Sequence, residues 1–351
     1  KEIMVVAFFN ADIYTGRAKI VSKALIVEND KIKEITEIGL IPHNATKVDC
    51  KNGIISPGVI AFPLSGAGGY LFSNKPSAPA LKSMIYSLLS SGTTGFYPTL
   101  ATNSLEIFRE AIKVVKENPH PAVLGLHFEG PYINPLKRGA HLIQYIKRPE
   151  KKEVEELLKA ADGVLKIITL APEMCDPEII KLLVDNGVTV SAGHSDATFD
   201  EAVKGYENGI TTTTHLFNAM SPLHHRGTGL PGAAYLSEKA YASIIADGIH
   251  VDFNTLMISK KIMKERLFLI TDAVVENKDG AYVHVKKEDR FTLPDGTLSG
   301  SMLTLLKAVG NCVKYAGIPL DEALQMASTY PAQVMNLSDH GRIEEGLKAN
   351  L

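Results

Sequence analysis

Four residues of this sequence have the types needed to hold a metal ion and move a proton, and each lies at the end of a strand-like run. Glu129 ends LGLHFE, His194 lies in VTVSAGHSD, His215 in ITTTTHLFNAM, and Asp272 in LFLITDAV. A catalytic ion of the zinc type takes about three protein ligands and keeps one position open, and imidazole and carboxylate are suitable donors. Glu129, His194 and His215 make such a set. A carboxylate directly after the buried run LGLHF is expensive without a cation beside it, and a metal is one such cation. Water activated by that ion still needs an acceptor for its proton, and a leaving amine needs a donor. Asp272 has the chemistry for both. Singly, these residues have plainer readings: a hydrogen-bonded loop histidine, a rim carboxylate paired with Arg or Lys, an aspartate capping a strand-to-loop junction. The four together point to a metal-dependent hydrolase.

Residues so far apart in sequence meet only if the fold gathers strand ends at one place. Eight apolar runs read as strands: 53–64, 92–100, 122–130, 164–173, 188–196, 210–220, 242–250 and 267–274. Helical periodicity lies between several of them, in PEKKEVEELLKAAD (149–162), DPEIIKLLVDN (176–186) and TFDEAVKGYEN (198–208). Alternation of this kind predicts parallel βαβ units, and eight strands predict a closed (β/α)8 TIM barrel. Polar residues at the carboxyl ends of such strands (Glu129, His194, His215, His250, Asp272) converge on the face where barrel active sites lie. The first fifty-odd residues instead read as short β-branched runs broken at Asn29-Asp30 and Asn44, and the closing segment GRIEEGLKANL (341–351) regains strand character. A small β-sandwich domain built from both chain ends, 1–53 with 336–351, is therefore expected beside a barrel spanning 54–335.

Composition narrows the classes. The 351 residues are 45% hydrophobic and 22% charged, as in ordinary globular enzymes, and the formal charge of −2 gives no general attraction to nucleic acid or acidic membranes. Any anion site must be local. Cys50, Cys175 and Cys312 are widely spaced and odd in number, which argues against a disulfide framework or a thiolate zinc site. No run approaches the roughly 18 apolar residues of a membrane span, and the start lacks a signal-peptide cleavage pattern, so a cytoplasmic location is expected.

Eight segments, GLHFEGPYINPLKRGAH (125–141), TLAPE (169–173), SAGHSDATFDEA (191–202), THLFNAM (214–220), HRGTGLPGA (225–233), IIADGIHVD (244–252), LITDA (269–273) and GTLSGSMLT (296–304), closely resemble motifs of the N-acetylglucosamine-6-phosphate deacetylases of the amidohydrolase superfamily. They occur in order over nearly the whole chain. The resemblance implies that Glu129, His194 and His215 bind the catalytic metal, that Asp272 is the general base and acid, and that His141 polarises the acetyl carbonyl. It also implies sugar-phosphate contacts at Ala140, His141, Asn218, Ala219, Arg226, Asp247, Gly248, Ile249, His250, Leu298, Ser299 and Gly300. Arg226, His250 and the Asn218–Ala219 amides suit a phosphate, because Arg, His and backbone N–H groups hold anions well.

One departure bears on the metal count. Many amidohydrolases carry an HxH pair at the end of the first barrel strand for a second ion, whereas PGVIAFPLSGAGG has Pro63 and Ser65 there. One divalent ion per chain is therefore expected. Zinc is the first choice, with iron or another divalent ion compatible with a His2Glu set. The expected reaction removes the acetyl group from N-acetyl-D-glucosamine 6-phosphate, giving D-glucosamine 6-phosphate and acetate in amino-sugar catabolism. The galactosamine epimer is an alternative substrate, and a catalytically silent sugar-phosphate-binding homologue is an alternative of another class. The resemblance also implies a homodimer.

Overall fold

The computed structural model describes residues 3–351, so the first two residues of the expected small domain lie outside the described ones. Five strands build the N-terminal sheet: β1 (Val5–Tyr14), β2 (Lys19–Ile20), β3 (Lys23–Glu28), β4 (Lys31–Glu37) and β5 (Thr46–Ile55). β1 is central; it pairs antiparallel with β2 and β3 and parallel with β5. Alternation should keep every second residue on one face, but the β1–β5 register shifts between Phe9 and Ala11, where Asn10 takes φ 60°. The inward set therefore changes sides. Val5 and Ala7 pack with Ala24, Ile26 and Ile41, whereas Ala11 and Ile13 pack with Leu25, Val27, Ile32, Ile55 and Ile343 on the other face.

That second face is covered by the end of the chain. Ile32 N–H donates to Leu347 O (2.9 Å), Gly346 N–H to Ile32 O (2.9 Å) and Ala349 N–H to Asp30 O (2.8 Å). The closing segment thus pairs with the N-terminal unit through one isolated bridge, Lys31 to Lys348, without becoming a regular strand. The left-handed backbone at Gly346 (φ 84°) breaks the extended course within it.

The remaining chain winds through β6 (Val59–Leu64), a short β7–β8 hairpin (Gly66–Ala67, Tyr70–Leu71), α1 (Ala78–Leu89), β9 (Thr93–Ala101), α2 (Leu105–Glu117) and β10 (Leu126–Glu129). It continues through α3 (Lys151–Ala161), β11 (Leu165–Leu170), α4 (Pro177–Asp185), β12 (Thr189–Ala192), α5 (Phe199–Glu207), β13 (Thr212–Thr213) and α6 (Gly229–Leu236). Then come β14 (Tyr241–Ile245), α7 (Phe253–Met263), β15 (Leu267–Ile270), a β16–β17 hairpin (Val285–Lys286, Phe291–Thr292), α8 (Leu305–Ala316), α9 (Leu320–Ala327) and α10 (Thr329–Val334).

β6 and β9 to β15 form one parallel sheet in sequence order, and the seam between its ends is joined where Leu64 meets Ala273. Ser65 and Gly66 both donate N–H groups to Ala273 O there, at 3.2 and 3.0 Å. This is the expected eight-stranded barrel, nearly closed. Its strands read as continuous apolar runs because both faces are covered; all six residues of β6 are buried. The helices cover them with amphipathic faces. α2 buries Phe108, Ala111, Ile112 and Val115 at helical spacing, starts at an Ser104 cap, and places Phe108 4.5 Å from the Phe128 ring of β10. Truncating such a buried ring typically costs about 3–5 kcal/mol, so this packing firmly seats the strand that carries Glu129. Among the described residues, no helix is long and apolar enough to cross a membrane.

Candidate metal centre and active site

Glu129 is the last residue of β10, and His194 and His215 each lie two residues beyond β12 and β13. All three are buried, at 3, 5 and 3% exposure, which is where unpaired polar groups are costly. Their tips meet. Glu129 Oε1 is 3.0 Å from both His194 Nε2 and His215 Nε2, and the two nitrogens are 3.1 Å apart. Burial alone would raise the Glu129 carboxyl, but hydrogen bonding to the two imidazoles overrides it and pulls the carboxyl well below its usual range. His215 moves the other way: burial opposes its charge, and the Glu129 hydrogen bond and charge raise it. The pocket floor is thus an anionic carboxylate that draws positive charge toward itself.

His194 carries a further sign of metal binding. Its Nδ1 lies 2.9 Å from the Lys137 carbonyl, which can only accept, so Nδ1 carries a proton, and Nε2, which faces Glu129 Oε1, would offer its lone pair to an ion that displaces its own proton. Such an outer partner is what orients a ligating histidine. Donor chemistry, burial and tautomer therefore fit a divalent cation. The donor atoms of Glu129, His141 and His194 also lie within 4.8 Å of one another, but His215 approaches far more closely, and His141 Nδ1 is engaged elsewhere. The backbone N–H of Thr102 can only donate, and it faces His141 Nδ1 at 3.3 Å, so Nδ1 accepts and Nε2 bears the proton. Burial first, then the His194 charge, hold His141 well below its usual pKa, hence neutral.

Asp272 lies two residues beyond β15 on a left-handed backbone (φ 46°), with burial and the nearby Glu129 charge raising its carboxyl. Gly300 makes this turn possible. Its φ is 134°, and a Cβ there would come within 3.1 Å of Asp272 O and 2.8 Å of Val274.

These groups open into one cavity of about 340 Å³, whose wall also includes Ala140, Asn218, Ala219, His250, Leu298, Ser299 and Gly300. Several expected contacts stand elsewhere. Of Asp247, Gly248, Ile249 and His250, only His250 lines the cavity. Asp247 holds it: Oδ2 is 2.6 Å from His250 Nδ1, and Oδ1 accepts from Ile249 N and His250 N, both at 2.8 Å. Burial would raise the Asp247 carboxyl, but these bonds lower it. Asn218 N–H already donates to His215 O (2.9 Å), so the expected pair of amides is reduced to that of Ala219. Arg226 is exposed on the 224–227 turn, outside the cavity wall. A turn closed by local bonds between His224 and Gly227 follows no strand-end rule, so the sequence does not reveal its direction.

Other residues were not anticipated. Tyr282 and His284 line the cavity from the segment after β15; Tyr282 Oη donates to Thr102 O (2.6 Å), and His284 Nδ1 is 2.9 Å from Ser299 Oγ. Neither stands at the end of a barrel strand, so only tertiary bonding brings them in. His127 of the HFEG run is buried but held between Thr99 Oγ1 (3.2 Å) and Thr169 Oγ1 (2.8 Å), a satisfied interior histidine. Ser65 lines the cavity, whereas Pro63 does not.

Comparison with known proteins identifies the family. The amidohydrolase family pattern matches residues 72–351. An N-acetylglucosamine-6-phosphate deacetylase of Haemophilus influenzae is 32% identical over 98% of this chain and 94% of its own length. An N-acetylgalactosamine-6-phosphate deacetylase of Shewanella is 35% identical over 85% of this chain and 78% of its own. The crystal structure of N-acetylglucosamine-6-phosphate deacetylase from Pasteurella multocida superposes with a TM-score of 0.94 at 36% identity, covering 99% of this chain and 94% of that one. The chain belongs to the amidohydrolase family and, within it, groups with the N-acetylglucosamine-6-phosphate deacetylases.

Proposed function

We propose that this enzyme hydrolyses the acetamide of N-acetyl-D-glucosamine 6-phosphate, releasing acetate and D-glucosamine 6-phosphate. The observation that carries the proposal is the meeting of Glu129 Oε1, His194 Nε2 and His215 Nε2 within 3.1 Å, beside His141 and Asp272 in one cavity. Glu129, His194 and His215 would hold one divalent ion, with zinc as our assignment. When bound, such an ion supplies Lewis acidity, which eases deprotonation of water and polarises a carbonyl.

The protein's own groups do the rest. Neutral His141 donates its Nε2 proton as a hydrogen bond to the acetyl oxygen, where negative charge develops. Asp272 takes a proton from the attacking water; the water oxygen bonds to the carbonyl carbon, the C–N bond breaks, and Asp272 returns the proton to the departing nitrogen. Its raised pKa suits both halves of that exchange. His250, oriented by Asp247, together with Ala219 N–H and Arg226, would receive the 6-phosphate, while Ala140 and Leu298 to Gly300 line the sugar. The dimeric state that the resemblance implies remains part of this reading, and light scattering tests it.

Acetate release from N-acetylglucosamine 6-phosphate by protein of known metal content is the test; no release from the metal-loaded protein would refute the proposal. The Shewanella relative favours a second reading, deacetylation of the galactosamine epimer. A larger kcat/KM for that epimer would select it.

A further inference from the structure

The TLAPE segment ends in Glu173, which takes no part in the chemistry above, yet its carboxylate binds three loops together. It sits on the turn Pro172–Met174 just after β11. Oε1 accepts from Asn134 Nδ2 (3.0 Å) in the loop after β10 and from Asp196 N–H (2.7 Å) in the loop after β12. Oε2 accepts from Ser195 Oγ (2.7 Å). These are charge-assisted bonds, stronger than neutral ones.

Both loops act on His194. Asn134 N–H donates to His194 O (2.8 Å), and Asn134 Oδ1 accepts from Leu136 N–H (2.9 Å), starting the short turn Pro135–Lys137. That turn presents the Lys137 carbonyl to His194 Nδ1. Ser195 and Asp196 are the two residues that follow His194. The bonds therefore close a ring: His194, Lys137, Asn134, Glu173, Ser195 and back to His194. His194 itself has φ 48°, a left-handed conformation that strains a non-glycine residue and persists only where its surroundings over-determine it.

We propose that Glu173 is a positioning residue for His194: it holds the Lys137 carbonyl and the strained His194 backbone so that Nε2 faces the metal centre. The proposal rests on the metal role given to His194 above. It is tested by the metal dissociation constant of the folded protein, measured by competition with a chelator of known affinity for Zn²⁺. Losing an outer-shell partner typically weakens metal binding about 10–100-fold, so Glu173→Ala should show that loss, while Glu173→Gln, which keeps an acceptor, should stay within about threefold of the parent.

A general loss of stability is separated by Glu322→Ala, which removes a carboxylate bound by Lys260 and by the Tyr330 hydroxyl (2.8 Å), away from the cavity. Its dissociation constant should not change. An unaltered constant in Glu173→Ala, or an equal rise in Glu322→Ala, overturns the proposal. If Glu173→Ala does not fold, Asn134→Ala and Ser195→Ala each cut one arm of the ring, and both should weaken binding by smaller factors; no change in either overturns it. His194→Ala is measured alongside. Its failure to weaken binding would sink the metal reading itself, whereas loss in His194→Ala with none in Glu173→Ala would remove only the positioning role.

Discussion

The two walls of the cavity are held by different means. On one side, Glu129, His194 and His215 continue the barrel strands, and neighbouring strands set their height: Thr214 N–H donates to Ala192 O (2.8 Å) and His215 N–H to Ser243 Oγ (2.8 Å). On the other, Tyr282, His284 and the Thr297–Gly300 run belong to the segment between β15 and α8, held by local backbone bonds, such as His284 N–H to Asn277 O (2.8 Å) and Ser299 N–H to Phe291 O (3.1 Å), and tied to the barrel by a few side chains. Asn74 binds Tyr282 N–H through Oδ1 (2.9 Å), and its Nδ2 donates to Tyr282 O (3.0 Å) and Asp279 O (3.1 Å). The first wall is fixed by sheet register, which cannot change without rebuilding the barrel. The second can vary its residues while the chemistry stays in place. Changes on the strand-end wall should therefore strike turnover, and changes on the loop-borne surfaces should strike substrate preference and acid stability.

The largest effect is expected at Asp272. Asp272→Asn keeps size and polarity but removes the proton acceptor, so turnover should fall by roughly 10²- to 10⁴-fold with metal retained. Metal content and steady-state kinetics on one preparation check this; near-native turnover would mean that another group handles the proton. His141→Ala removes a donor aimed at the developing oxyanion, and about 10²- to 10³-fold in kcat is expected. A change confined to KM would reassign His141 to ground-state binding.

On the loop side, Arg226→Ala should weaken the phosphorylated substrate by about 1.5–3 kcal/mol and leave the unphosphorylated sugar nearly unaffected. The exposed position of Arg226 makes this a demanding test, since equal losses for both sugars would show that the turn does not reach the phosphate.

The smallest effect concerns His284, which burial pushes down to about 4 from its ordinary 6.5. The folded imidazole stays neutral while the unfolded one takes a proton, so its contribution is complete above about pH 6.5 and is lost as pH falls toward 4. His127, also lowered to about 4 by burial, acts in the same sense. Denaturant titrations across this window should show a shallower acid decline in His284→Asn than in the parent; an equal slope would show that the imidazole is hydrated in solution.

This contrast also separates what was legible in the sequence. A β-strand buried on both faces announces itself as a strand-like run, and polar residues at its carboxyl end are delivered to the top of the barrel by geometry alone. Glu129, His194, His215 and Asp272 were readable for that reason. His284 and Tyr282 sit in a segment with no dominant period; Tyr282 is held by Asn74, more than 200 positions away, and His284 by Ser299. The turn holding Arg226 is equally silent. The Lys137 carbonyl that orients His194 is a backbone atom, to which no residue type corresponds. His127 illustrates the reverse: a strand histidine that resembles a ligand and proves to be held by two threonine hydroxyls.

One ion held by Glu129, His194 and His215 is the centre of the proposed reaction, with Pro63 and Ser65 in place of a second pair of imidazoles. Metal analysis of chelator-free protein, coupled to acetate release before and after metal removal, measures this directly. The prediction is about one tightly held ion per chain, activity lost on its removal and restored by one equivalent, and an empty site in His194→Ala. About two ions per chain would contradict the single-metal centre, and full activity in metal-free protein would contradict metal catalysis altogether.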